Sequence, residues 1–240
     1  MVSEMTLLTA IRTAATSALA SRYLAKKNSK SLAIIGCGAQ SEFQVLAHEA
    51  LFDLTQVKYF DCDPHAMQRF CQNVAGSSFA LEKVENAKAA IQDVDIIITA
   101  TAAKTKVKVI ENAWLMPGQH ISGIGGDSPG KTELDPEILK RSKVVVEYFP
   151  QTLHEGEIQN LGETAKEYVY AELWEILAGK KPGRTHDQEN TVFDAVGFAL
   201  EDYSILRLVY SLAKEYQLGK NVELVPEHLK DCKNLYGLLQ

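Results

Sequence analysis

Residues 32–44, Leu32-Ala33-Ile34-Ile35-Gly36-Cys37-Gly38-Ala39-Gln40-Ser41-Glu42-Phe43-Gln44, break a short apolar run at two closely spaced glycines and then resume as a helical pattern. A strand that hands over to a phosphate-binding helix reads this way. Gly36 suits the tight turn after the strand, and Gly38 lets the backbone approach a pyrophosphate. Ala39 and Gln40 complete the turn, and the helix that follows presents free N–H groups and the positive end of its dipole. Ser41 stands at the third position of the glycine pattern. Such turns also join strands and helices that bind nothing, so the flanking sequence must decide.

Upstream, residues 6–26 carry Leu8, Ile11, Ala15, Ala18 and Leu19 at helical spacing, with Lys26 and Lys27 suited to the helix C-terminus. Downstream, the helix is expected to reach about Phe52, and Val57–Phe60 reads as a second strand ending at Asp61. Asp61 lies about 25 residues beyond Gly36, near the spacing at which a carboxylate receives the adenosine ribose hydroxyls of NAD. Its neighbours Cys62 and Asp63 offer no basic group for the extra phosphate of NADP; alternatively, Asp61 is a solvated strand end.

Helical character returns at 65–73 and 84–92, with a strand at 79–83 between them. Asp95-Ile-Ile-Ile-Thr-Ala-Thr reads as a buried strand whose hydroxyl-bearing end includes Thr101. Residues 119–123 and 143–147 add two more strands. This alternation predicts an α/β fold, a doubly wound, mostly parallel, Rossmann-like sheet. After Gly183, a polar stretch leads to a long helical pattern through Phe198, Leu206 and Ala213, expected to pack on the first helix. Three units follow: a helix at 1–26, a nucleotide-binding domain at 27–185, and a C-terminal helical segment at 186–240. The two chain ends together form a small second region.

A net charge of −6 among 240 residues gives no electrostatic reason to expect nucleic acid or an anionic membrane as partner. The four cysteines form no C-x-x-C pair and share no ligand spacing with the six histidines, which argues against a metal site. Reduced thiols, with neither a leader pattern nor a membrane-length apolar run, suggest a cytoplasmic protein.

Residues 124–134, Ile-Gly-Gly-Asp-Ser-Pro-Gly-Lys-Thr-Glu-Leu, follow a strand and are too rich in glycine and charge to be core. Gly125 and Gly126 would let the backbone pass close to a cofactor, and Asp127 would project from the carboxyl edge of the sheet. Gly130-Lys131-Thr132 resembles part of a phosphate loop, but the proline and acid before it would spoil a cradle of N–H donors. Taken alone, Asp127 suits a loop cap, and Arg12 on an alanine-rich helix suits a solvated face or surface ion pair.

Several stretches carry a resemblance: Ser3 to Ser17, Gly-Ala-Gln-Ser-Glu-Phe-Gln, Gly-Gly-Asp-Ser-Pro-Gly-Lys-Thr-Glu-Leu, Val-Glu-Tyr-Phe-Pro-Gln-Thr and Gly-Phe-Ala-Leu-Glu-Asp-Tyr. In them the chain resembles the ornithine cyclodeaminase/mu-crystallin family, and the third stretch resembles its cyclodeaminase branch. The resemblance implies conversion of L-ornithine to L-proline and ammonia with tightly held NAD that is not consumed. It implies Asp127 as catalytic acid/base, and Arg12, Asp127 and Val196 as substrate contacts. Cofactor contacts would be Arg12, Gly36, Gly38, Ala39, Gln40, Asp61, Thr101, Ile124, Gly125, Gly126, Lys131 and Ala195. Family chains begin well before Met1, with a segment that supplies much of the substrate and dimer region; a homodimer is expected where that segment is present. The alternatives are a ketimine reductase or amino-acid dehydrogenase of the same family, and a non-catalytic nucleotide-binding protein.

Overall fold

The computed structural model describes residues 3–103 and 106–221. Its first half runs α1 (Thr6–Leu24), β1 (Ser31–Ile35), α2 (Ser41–Glu49), β2 (Gln56–Phe60), α3 (Pro64–Asn73), β3 (Ala80–Lys83), α4 (Ala87–Ile91), β4 (Ile96–Thr99) and β5 (Lys106–Ile110). The second half runs β6 (His120–Gly123), β7 (Thr132–Leu134), α5 (Pro136–Arg141), β8 (Lys143–Val146), α6 (Phe149–Glu155), α7 (Ala165–Tyr168), β9 (Val169–Glu172), α8 (Leu173–Leu177), β10 (Thr191–Asp194) and α9 (Ala199–Glu215). Cys232 and the end of the expected C-terminal segment lie outside the described residues.

Eight strands form one sheet in the order β3-β2-β1-β4-β6-β10-β8-β9, and every pairing in it is parallel. A separate parallel pair joins β5 to β7. Alternate residues of each strand feed opposite cores. Leu32, Ile34, Ile96, Ile98 and Phe193 enter one cluster, while Ala33, Ile35, Ile97, Ile121 and Val192 enter the other. A strand can be apolar along its whole length only where both faces are covered, so these residue runs already call for helices on both sides. Strand order reverses at β1, with β2 on one side and β4 on the other. In such sheets, ligands bind beyond the carboxyl ends of the strands flanking that point.

One expectation is corrected. Residues 191–194 are not part of a helical segment; they form β10, which lies between β6 and β8 inside the sheet. The helix begins only at Ala199. Thr191 and Asp194 bound an apolar run of only two residues, too short to announce a strand, and the Ala-Val-Gly that follows hides the strand end.

The alanine and serine content of α1 has a packing reason. Ala10, Ala14, Ser17, Ala18 and Ser21 are buried, and small side chains let the helix lie close to α2 and to the sheet face over β6 and β10. Ser17 Oγ stands 2.7 Å from Ser122 Oγ. Ser21 Oγ lies 2.9 Å from His48 Nε2 and 3.0 Å from His120 Nε2. His48 Nδ1 donates to the Gln44 carbonyl at 2.7 Å, and Thr191 Oγ1, 2.9 Å from His120 Nδ1, donates to the Leu24 carbonyl at 2.8 Å. Burial pushes His48 down to about 4 and holds His120 well below the usual histidine value, so this network joins α1, α2, β6 and β10 through neutral imidazoles. Among the described residues, no helix is long and apolar enough to cross a membrane.

Candidate active site

The glycine turn leaves β1 at Gly36, whose φ of 96° is in the left-handed region. A Cβ there would also stand 2.5 Å from the Ala100 carbonyl oxygen, so glycine is required by both conformation and space. That contact places the end of β1 against the end of β4, where strand order reverses. At Gly38 the space a Cβ would enter is open. Ser41 accounts for the missing third glycine: its hydroxyl donates to the Gly38 carbonyl at 2.7 Å and closes the turn. Gln40 caps α2 without a side-chain hydrogen bond to the helix, and its buried Oε1 has no partner.

Asp61 follows β2 and reaches back to this turn. Its Oδ2 accepts from the Cys37 N–H at 2.6 Å and its Oδ1 from the Asp63 N–H at 2.9 Å. Arg69 donates to the Cys37 carbonyl from the other side. The Cys37 thiol, pushed up to about 12 by burial and by the charges of Asp61 and Glu42, is inert at neutral pH.

Beyond β6, Ile124 N–H donates to the Thr99 carbonyl at 3.1 Å, so the 124–127 segment starts beside the end of β4. At Gly125 and Gly126 the missing side chain also has a use inside the protein. A Cβ on Gly125 would overlap the carboxyl oxygens of Glu133, and one on Gly126 would stand 2.9 Å from Glu157 Oε1. Glycine is needed there because buried carboxyls of the protein itself press against the backbone.

Asp127 is exposed, and its Oδ1 pairs with the buried Lys131 Nζ at 2.8 Å. Gln159 holds the intervening turn by accepting from the Gly130 N–H at 2.7 Å and donating to the Lys131 carbonyl at 3.0 Å. Lys131 therefore serves an ion pair here, and no phosphate loop forms at 130–132.

Ala195 N–H donates to the Gly123 carbonyl at 3.0 Å, placing the end of β10 against the end of β6. Val196 N–H donates to Glu147 Oε2 at 2.9 Å, and Gly197 N–H donates to the same oxygen. Arg12 packs so closely on Gly197 that a Cβ there would collide with its guanidinium. It enters the region already paired, with Nη1 2.9 Å from Glu201 Oε2 and Nε 3.0 Å from Asp202 Oδ1. Burial and the neighbouring Glu201 push Glu147 up to about 8. Arg12, Glu147 and Glu201 also line a mostly apolar groove of about 670 Å³ bounded by Trp174, Leu200 and Leu208.

The carboxyl edge of the sheet thus gathers Gly36, Gly38, Ala39, Gln40, Asp61, Thr101, the 124–127 segment, Lys131, Ala195 and Val196. Arg12 approaches from α1 through Gly197. Sequence reasoning missed Glu133, Glu157, Asp194, Glu147 and Gln159. Only Glu133 fell inside a stretch singled out by composition, and no spacing connects the others.

The sequence pattern of the ornithine cyclodeaminase/mu-crystallin family matches residues 1–217. The chain belongs to that family. It is 44% identical over 239 residues to the ornithine cyclodeaminase of Agrobacterium fabrum, a match that takes in 100% of this chain and 66% of that protein. The chain therefore spans about two thirds of the length of this curated relative. Among solved structures, it superposes on the Thermococcus litoralis Δ1-pyrroline-2-carboxylate reductase in complex with NADH and L-proline with a TM-score of 0.86. That match has 35% identity and covers 91% of this chain and 69% of that one. It also superposes on a lysine cyclodeaminase described in terms of recognition of L-lysine, L-ornithine and L-2,4-diaminobutyric acid. There the TM-score is 0.85, at 32% identity and over 98% and 67% of the two chains.

Proposed function

We propose that this chain is the NAD-binding part, with the catalytic acid/base, of an ornithine cyclodeaminase that converts L-ornithine to L-proline and ammonia. The observation that supports the reading is the Gly-Gly-Asp-Ser-Pro-Gly-Lys segment, which begins beside the end of β4 and pairs Asp127 with Lys131. The residues fit a dinucleotide. Gly38 presents bare backbone at the start of a nine-residue helix, Gln40 holds an unpartnered buried oxygen, and Asp61 stands at the end of β2 without a basic neighbour in sequence.

In this reading, Gly36, Gly38, Ala39 and Gln40 hold the pyrophosphate, and Asp61 receives the adenosine ribose hydroxyls. Thr101, Ile124–Gly126, Lys131 and Ala195 line the remainder. When bound, NAD supplies a reversible acceptor for the hydride of the substrate α carbon. Asp127 accepts and returns protons on the amino groups or on an attacking water through its carboxylate, and the Lys131 ammonium fixes its direction. Arg12 and Val196 contact the substrate. Arg12 is shared with Glu201 and Asp202, so a substrate carboxylate must join or displace that pairing. We assign α9 and the outward face of α1 to a substrate and dimer region, while the inward face of α1 covers the nucleotide-binding sheet. Exposed Leu200, Tyr203 and Leu208 on α9 support homodimerisation through that region.

The test is stoichiometric. Protein supplied with NAD and L-ornithine forms proline and ammonia in equal amounts with no net reduced nicotinamide, and Asp127→Ala abolishes this. Steady accumulation of NADH, binding without turnover, or proline formation untouched by Asp127→Ala overturns the reading. A second reading, net reduction of an imino acid, draws on the pyrroline-2-carboxylate reductase, on which the chain superposes as well as on the lysine cyclodeaminase. Consumption of NADH with a cyclic imine would select it.

A further inference from the structure

Three buried carboxyls connect the end of β10 to the end of β4. Asp194 accepts from the N–H groups of Glu157 and Ile158, both at 2.9 Å. Glu157 accepts from the N–H groups of Glu133 at 2.8 Å and Leu134 at 2.9 Å. Glu133 Oε1 in turn accepts from the Thr101 N–H at 2.7 Å and from the Thr101 hydroxyl. Each acid thus holds the backbone that carries the next, and each abuts a glycine: Asp194 beside Gly156, Glu157 beside Gly126 and Glu133 beside Gly125.

The last member differs from the other two. Both oxygens of Asp194 and of Glu157 are satisfied, whereas the buried Oε2 of Glu133 makes no well-formed hydrogen bond, having only the equally unpaired Thr99 hydroxyl nearby, and lies against Gly125. Leaving a buried polar atom unpaired lowers stability, and a fold that served only itself would gain by removing it. Glu133 also belongs to β7, outside the main sheet, yet its side chain reaches that sheet's edge between two segments that enter the site separately.

We propose that Glu133 is a positioning residue of the active site, tying Thr101 at the end of β4 to the Gly125–Asp127 segment so that both meet the cofactor in one arrangement. This inference rests on the NAD-binding reading. Burial raises the Glu133 carboxyl above its ordinary value and so favours its neutral form. A carboxamide of the same shape should therefore replace it, because its oxygen can take both Thr101 donors.

The test compares the wild-type chain with Glu133→Ala and Glu133→Gln, measuring NAD affinity by calorimetry and amide hydrogen exchange at Thr101. Losing the pair of bonds to Thr101 should weaken NAD binding about tenfold and speed exchange about tenfold in Glu133→Ala, with Glu133→Gln within about threefold of wild type on both. Changes under about threefold in Glu133→Ala overturn the proposal, as does a Glu133→Gln variant as impaired as the alanine one. If Glu133→Ala does not fold, Thr101→Val removes one of the two donors, and an unchanged NAD affinity in it overturns the proposal. A wild-type chain that fails to bind NAD refutes the functional reading instead, while exchange at Thr101 still reports on the tether.

Discussion

Gly38 after β1 and the pair Gly125/Gly126 after β6 look alike in sequence as glycines at the sheet's carboxyl edge and differ in what surrounds them. At Gly38, the place of a Cβ is open, so the absent side chain leaves the backbone bare. At Gly125 and Gly126, the same place is occupied by the carboxyls of Glu133 and Glu157. A bare backbone can therefore mark a ligand's path or the seat of the protein's own buried group, and only the neighbouring atoms distinguish the two.

The comparison breaks most readily by adding one methyl to each side. Gly125→Ala forces its Cβ onto Glu133 and is expected to cost about 2–3 kcal/mol, read as a fall in melting temperature of several degrees. Gly38→Ala meets no atom; its stability should stay within about 0.5 kcal/mol of wild type while NAD affinity falls at least tenfold. Equal stability losses in the two variants would erase the distinction.

The two regions also carry opposite pH dependence. Burial pushes Asp194 up to about 7 and Glu157 well above its ordinary value, with mutual repulsion adding to the latter. Asp194 thus contributes stability that is complete below about pH 4 and is lost as pH rises towards 7. His48 on α2, held down to about 4, acts in the other direction: its contribution is complete above about pH 6.5 and is lost as pH falls towards 4. Urea denaturation from pH 4 to 7 should therefore steepen towards acid stability in His48→Gln and towards neutral stability in Asp194→Asn. Each slope changes by at most ~1.4 kcal/mol per pH unit. An unchanged slope in either variant contradicts the assignment of that group's charge.

The smallest effect concerns Ser41. Ser41→Gly restores the third glycine but removes the hydroxyl that donates to the Gly38 carbonyl. It should lower stability by about 1 kcal/mol and leave NAD affinity within about threefold, both measurable in one thermal-shift titration. A gain in stability would mean that the hydroxyl does not hold the turn.

Much of this was legible in the sequence for a physical reason. β1, β2, β4, β6 and β8 are buried on both faces or end at punctuating residues, so short apolar runs announced them, as helical spacing announced α1 and α9. β5, β7, β9 and β10 were missed because polar residues interrupt or bound their apolar runs, and β10 matters most because it brings Asp194, Ala195 and Val196 to the sheet's carboxyl edge. The glycine turn and Asp61 could be read because their chemistry depends on spacing along the chain. The carboxyls at 133, 157 and 194 could not, because their relation exists only after β7, the turn at 157 and β10 are assembled.

The most direct test of the whole account uses L-ornithine carrying deuterium at its α carbon, with NAD and no other redox partner. If one site removes the hydride and returns it, the deuterium stays in the proline formed and no reduced nicotinamide accumulates. Proline without the label, or label recovered in free NADH, would contradict the account.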